Sequence, residues 1–545
     1  MAGIATLLSL LLGVAACAPL SEDPPELTYT CGTDTSLPTE TLEYNTRTNC
    51  GHGDDPRDTE LNLQEPAFPT GEPCITLEAA LTFPNENALD TARVNKALAD
   101  CKGKGPVKLV KTGQNNVFIT GHITADSTLL WVDEGVTLYA SRDPKNYGGG
   151  TPNCGEIGIN DSAACSDFIT VQGTNPGVIG DGTIDGQGGE PLVGRDYSWW
   201  QASYALRTID GSIGNPTLIN TKSSGTPGTT GVLFYRIKLQ NSPKFHIKVA
   251  GRPGNAGFAC NRYGEGFTVW GVTVLTPSSW TNSQGLVLSP YTARNTDGID
   301  PGAGFAATCG LVACNMVSTG DDQMAIKGGH RVEDVIFAHN RFGTGHGMSI
   351  GSEVYGDTNN GIGVNRVRVY DLTIDADSRW TGSPGGDAAD SNGIRIKSDP
   401  SRGGVVQSVS YEDVCIRDVS NAILISTAYN PLFTGTLYPQ FKNIDFHNIH
   451  DVSCASSTEP IVTMEGFNVG LKAGPITLDN VIVDNFGSPA LSSEWADFKL
   501  GPGDVNFTPS GLGVTVTDNR TQARAPKACK FPPLPAPKKP DGWVW

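Results

Sequence analysis

Four short motifs recur along the chain at nearly one interval, and that interval constrains the fold more than any other feature. Asn295-Thr296-Asp297-Gly298 comes first, followed by Gly320-Asp321-Asp322, Gly345-His346-Gly347 and Arg395-Ile396-Lys397. Asp297 to Asp321 is 24 residues, Asp322 to His346 another 24, and His346 to Arg395 is 49, close to two such steps. A period of about 20 to 50 residues marks a solenoid whose repeats stack on one another. If each step is one coil of a parallel β-helix, equivalent positions on adjacent coils lie about 4.8 Å apart. Residues distant in sequence then converge on one face.

The local pattern agrees. From about residue 106 short strands are separated by Gly, Asn, Asp and Pro, as at Thr128 to Val132, Gly135 to Tyr139, Gly266 to Leu275 and Val364 to Ile374. Turns such as Asp181-Gly182 and Asp185-Gly186 lie between them. Strand alternation follows each motif, so Met324, Ile326, Ile350, Ile394 and Ile396 point inward and their polar neighbours outward. Ile396 inward forces Arg395 and Lys397 onto the same outer face. Strands alternating with long helices are absent, which excludes a TIM barrel or a doubly wound sheet. Charged residues make up only 18% and Gly numbers 66, which suits a wound ribbon with a corner at every turn. One convincing helix is expected, with Val94, Ala97, Leu98 and Cys101 on one stripe and Asp90 as N-cap. It would cap the open apolar end of the solenoid. The fold class is therefore all-β, a parallel β-helix with a short N-terminal capping helix.

Residues 1–16 read as a signal peptide, too short for a membrane span. The Ala16/Cys17 junction leaves two outcomes open, free secretion or a bacterial lipoprotein anchored through Cys17. Residues 17–74 read as an N-terminal extension or linker, 75–530 as the β-helix domain, and 531–545 as a Pro-rich tail. Thirteen cysteines, less Cys17, allow six disulfides in an oxidising compartment. Cys154/Cys165 and Cys309/Cys314 are plausible short loops, Cys31/Cys50 and Cys74/Cys101 longer ones. No Cys-x-x-Cys or His-rich pair argues for a metal, and no cofactor is expected. A net charge of −18 argues against nucleic acid as a partner. A monomer is expected.

Breaking a glycosidic bond needs one acid to protonate the leaving oxygen and one carboxylate to activate water or attack. Carboxylates held close disfavour joint ionisation, which keeps one of them protonated. Asp297, Asp321 and Asp322 on adjoining coils would supply such a group. Singly, an Asp-Gly is most often a turn, and a His or an Arg-x-Lys most often surface. Their common register raises the chemical reading above the bland one.

The four motifs, in this order, resemble those of the polygalacturonases, pectin-hydrolysing glycosidases built on a right-handed parallel β-helix. Gly182-Thr183-Ile184-Asp185-Gly186-Gln187-Gly188 and Ala325-Ile326-Lys327 also resemble family patterns, and the likeness runs from about Thr76 to Val483. The resemblance implies that Asp321 is the general acid and that Asp297 and Asp322 hold and deprotonate the attacking water. It implies that His346 tunes the acid, and that Arg395 and Lys397 bind a galacturonate carboxylate. Tyr429 falls where the family has a substrate-binding tyrosine. The implied substrate is polygalacturonate or pectin, cut with inversion. Carboxylates on adjacent coils, about 5 Å apart, would instead suggest retention. Internal cutting is favoured because no large N-terminal module is evident, although the insert Asp375 to Asp390 with Trp380 could block one end of a cleft and give exo action. A calcium-dependent pectate lyase and a non-catalytic glycan-binding β-helix are the alternatives. The register of His346 argues against the first, and three aspartates at a polyanion site argue against the second.

Overall fold

The computed structural model describes residues 50–148, 153–157, 165–206, 213–222, 228–251, 260–329, 331–355, 363–376, 391–430, 432–452, 461–484 and 491–541. They fall within one compact unit, Asn45–Trp545. Residues 1–16, Cys17, Cys31 and residues 377–390 of the Asp375 to Asp390 insert lie outside the described residues.

Every strand-to-strand pairing between named strands is parallel, and each strand pairs with its equivalent one coil on, as a β-helix requires. One ladder has 11 described strands, from Ile123–Asp126 to Leu491–Glu494. The other sheet, of 21 described strands, begins as two ladders joined by a corner in each coil. Gly271 makes that corner between Phe267–Trp270 and Thr273–Leu275 with φ +65°, splitting what the sequence pattern presents as one strand. At Val364–Asp375 the two ladders fuse into single long strands.

The interior is a set of stacked apolar columns. Phe234, Val269, Val312, Phe337, Val369, Tyr411, Phe446, Leu478 and Leu500 follow one another in register, each at most 1% exposed. The inward assignments of Met324, Ile326, Ile350, Ile394 and Ile396 hold, all being fully buried. Burial of a side chain of this size is worth about 1.5–3 kcal/mol, so the repeated columns carry the fold.

The helix Thr91–Asp100 buries Val94, Ala97 and Leu98 as the stripe predicts. Asp90 stands at its N-cap without capping it; its carboxylate instead accepts from Arg93 Nε and Ile119 N. Asn95 Nδ2 donates to His122 O and Asn95 Oδ1 accepts from Thr124 N, both at 3.0 Å. The helix thus supplies side-chain partners to the edge of the first described strand of the 11-strand ladder, which no other described strand of that ladder precedes.

Residues 50–70 form a packed strap. It holds a short helix, Pro56–Glu60, and lays Cys50, Leu61, Leu63 and Phe68 over an outward-facing row that includes Ile179, Tyr235, Trp270, Ala313, Ala338 and Tyr370. At the other end of the chain, Leu534 is buried and Lys538 O accepts from Trp280 N.

Cys74–Cys101 and Cys154–Cys165 form as expected. Cys314 bonds Cys50 instead of Cys309, and Cys415 bonds Cys529. Correcting the Cys309/Cys314 and Cys31/Cys50 pairings follows from the fold. Cys309 lies within the strand Ala307–Ala313 and Cys314 directly follows it, so extended backbone at roughly 3.3 Å per residue holds them beyond disulfide reach. Cys50 meets Cys314 because the strap crosses that coil.

Candidate active site

The site lies along the 11-strand ladder at Ile299–Pro301, Met324–Ile326, Met348–Ile350, Asn392–Lys397 and Asn421–Ser426. Ile299, Met324, Met348, Ile394 and Ile423 face one another in register and anchor the coils from inside. Asp297, Asp322 and His346 each stand two residues before Ile299, Met324 and Met348, so they occupy one place on three consecutive coils. Backbone bonds tie these turns together: Gly298 N donates to Asp322 O and His346 N to Asp321 O, each at 2.9 Å. Gly347 is required at its turn, because at φ +89° a Cβ there would sit 1.9 Å from Gly393 O.

Ala325, Ser349, Arg395 and Leu424 form the outward column beside the inward one. Arg395 donates through Nη2 to Asp322 Oδ1 and through Nε to Ser349 Oγ at 3.1 Å. Lys397 Nζ lies 3.1 Å from Asp322 Oδ2, and Ser349 Oγ donates to Oδ1 at 2.8 Å. Arg395, Lys397 and Asp322 are all buried. Although burial by itself would raise the Asp322 carboxyl, Arg395 and Lys397 hold it below its ordinary range. Asp322 is therefore held as the anion.

Asp321 is more accessible, its side chain 17% exposed, beside His346 at 30%. Its carboxylate accepts from Asp322 N at 2.8 Å and Asn295 N at 3.2 Å, and His346 Nδ1 lies 3.2 Å away. Burial raises this carboxyl, but the neighbouring His346 and Lys397 and the Asp322 N–H carry it down. Asp297 is the reverse case. Burial, then the neighbouring Asp321 and Asp300 charges, holds its carboxyl well above the ordinary range. Its Oδ1 is buried without a protein hydrogen bond and Oδ2 lies 3.4 Å from Lys327 Nζ. Of the three aspartates Asp297 thus holds a proton most readily, whereas the resemblance gives the acid's role to Asp321.

Tyr429 stands at the rim, 40% exposed, with Lys397 Nζ 5.1 Å from its ring centroid. All seven residues singled out from the sequence thus meet on one outer face. Several partners were not singled out as site residues. Lys327 bridges Asp297 and Glu353, the latter at 3.0 Å. Asp300 is fully buried with neither carboxylate oxygen hydrogen-bonded to protein, and burial first, then the Asp322 charge, pushes it up to about 8 against the pull of Lys327. His246 is held neutral by burial, with its pKa down to about 4; its backbone N donates to Asp297 O at 2.8 Å. The Ala325-Ile326-Lys327 run signalled Lys327. Asp300, three residues past Asp297, reads as an ordinary strand residue until burial is known. Ligand-type atoms of Asp321, Asp322 and His346 come within 4.8 Å of one another, but two cations already neutralise Asp322, which disfavours a divalent ion there.

The comparisons with known proteins agree with this geometry. Residues 155–495 match the model of the glycosyl hydrolases family 28. A polygalacturonase of Ralstonia solanacearum is 34% identical over 489 residues, spanning 83% of this chain and 85% of its own length. An endo-polygalacturonase of Pectobacterium carotovorum subsp. carotovorum is 34% identical over 424 residues, 77% of this chain and 88% of its own. The solved polygalacturonase from Erwinia carotovora ssp. carotovora superposes with a TM-score of 0.58 at 29% identity, covering 86% of this chain and 98% of its own. With three aspartates, a histidine and a cationic pair gathered on one face of a parallel β-helix, the chain belongs to glycosyl hydrolases family 28.

Proposed function

We propose that the protein hydrolyses α-1,4 bonds between galacturonate residues of polygalacturonan and pectin, with inversion and by internal cuts. The observation that carries this reading is the clamp of Arg395, Lys397 and Ser349 on Asp322, beside an accessible Asp321–His346 pair. A carboxylate kept anionic by two cations suits the base that activates water. The unpartnered Oδ1 of Asp297 offers that water its second contact. Asp321, the more accessible carboxyl, faces the leaving oxygen as general acid, and His346 governs its proton. Once Arg395 and Lys397 also meet the substrate carboxylate, Tyr429 provides the neighbouring wall. The 34% identity to an endo-polygalacturonase supports internal cutting. Secretion through the leader at 1–16 belongs to the same reading, with Cys17 as the site of a lipid anchor in its alternative form.

The protonation of Asp297 favours a second assignment, in which Asp297 is the acid and Asp321 helps hold water. The two are separated by the alkaline limb of kcat/KM against pH, which reports the acid of the free enzyme. Asp321→Asn abolishes that limb in the first assignment, and Asp297→Asn does so in the second.

The overall reading is tested by reducing-end release from polygalacturonate with product lengths followed over time. Long intermediates that shorten gradually, without unsaturated product absorbance and with activity retained after chelation, are expected. Monomer or dimer released from the start would show exo action. Absorbance of a new C=C bond, abolished by chelator, would establish the lyase instead.

A further inference from the structure

A second cluster, outside the catalytic face, joins the strap to the β-helix. Its platform is a column of left-handed corner residues, Arg236, Gly271, Cys314, His339, Asp371 and Asp413, one per coil. They align because the residues just before them, Tyr235, Trp270, Ala313, Ala338, Tyr370 and Glu412, are in register. Cys314 takes the disulfide from Cys50. On the next coil His339, 1% exposed, meets the strap's Asp58, with Nε2 2.9 Å from Oδ1 and 3.1 Å from Oδ2. His52, also of the strap, brings Nδ1 to 3.3 Å from the same Oδ2.

We propose that His52 Nδ1, Asp58 Oδ2 and His339 Nε2 form a site for a divalent transition metal of the zinc class, which clamps the strap to the coil. Three features support it. Tetrahedral ligands about 2.0–2.2 Å from zinc lie roughly 3.3 Å from one another, close to the 3.1 and 3.3 Å spans from Asp58 Oδ2. His52 Nδ1 is buried and makes no hydrogen bond, although it lies 3.3 Å from Asp58 Oδ2. The surrounding bonds are those that orient metal ligands. His339 Nδ1 is bonded to Asp371 Oδ2 at 2.8 Å, and that carboxylate is held by Arg341 Nη2 at 3.0 Å. Tyr370 OH donates to Asp58 Oδ1 at 2.6 Å, leaving Oδ2, which accepts from Gly53 N at 2.8 Å, on the side facing both imidazoles. The His52 side chain is 24% exposed, so water can complete the fourth position. Arg57, the other nearby cation, is taken up by Asp55, Glu412 and Asp413.

The test uses the untagged full-length protein, stripped with chelator and titrated with Zn2+ by calorimetry, and with Co2+ followed by its visible bands. One equivalent with tetrahedral cobalt absorption and a higher Tm on adding zinc are expected. His52→Ala, which keeps the His339–Asp58 pair and so folds, should bind at least 10- to 100-fold more weakly. Galacturonan hydrolysis by the stripped protein should be unchanged. Equal titration of wild type and His52→Ala, or no stoichiometric binding by wild type, would overturn the site and leave an ordinary ion-paired clasp.

Discussion

Lys397 Nζ lies 3.1 Å from Asp322 Oδ2, although 75 residues separate them in the chain. Together with Arg395, this contact keeps the Asp322 carboxylate ionised, a duty additional to the substrate contact proposed for the cationic pair. Asp322 sits below its ordinary range, so the activity that needs its anion is present at higher pH and fades as pH falls through the depressed value.

Arg395→Gln removes the donor that burial makes most effective. The acid limb of kcat/KM should move to higher pH, by about one unit for each 1.4 kcal/mol of lost stabilisation, and KM should rise. Lys397→Ala should do the same to a smaller extent. A rise in KM with a stationary acid limb would show that the pair serves the substrate alone.

Asp322→Asn should lower kcat by about 10²–10⁴-fold while oligogalacturonate still binds, because the contact removed acts on the transition state. Calorimetric binding beside initial rates measures both. Activity within a few-fold of wild type would take Asp322 out of the chemistry.

Asp300 carries a stability signature that opposes the usual carboxylate. Its folded pKa is raised to about 8, so between about pH 4 and 8 the folded state holds a proton that the unfolded state has lost. Stability therefore falls as pH rises across that window. Asp300→Asn cannot ionise, and its Tm relative to wild type should climb steadily from pH 4 to 8. Parallel Tm curves would show that Asp300 is ionised in the fold.

The strap should contribute measurably to the whole solenoid. Cys50→Ser with Cys314→Ser releases its end and should cost about 2–4 kcal/mol, read as a lower denaturation midpoint. Hydrolysis at ambient temperature should persist, since neither residue touches the catalytic face. An unchanged midpoint would mean that Leu63, Phe68 and the Asp58 contacts suffice.

The coil period, the alternation after each motif and the capping-helix stripe were legible because they are local or periodic. Inward Ile394 and Ile396 fixed the outward direction of Arg395 from the pleat alone. Asp300 was not legible, because its unusual protonation comes from burial and not from residue type. The strap was not legible either. Its composition resembles a linker, and Leu63 and Phe68 find their partners only on rows contributed by distant coils. The disulfides divide in the same way: Cys74–Cys101 and Cys154–Cys165 span 27 and 11 residues, while Cys50–Cys314 spans 264.

Periodicity and alternation along the chain dictate a wound parallel ribbon and which side chains share its proposed active face. A fixed repeat length and a two-residue pleat leave little freedom in either. The direction in which each aspartate's proton affinity shifts, and what each cation holds, arise from the folded chain. Those depend on burial and on contacts of about 3 Å between coils, which no spacing along the chain encodes.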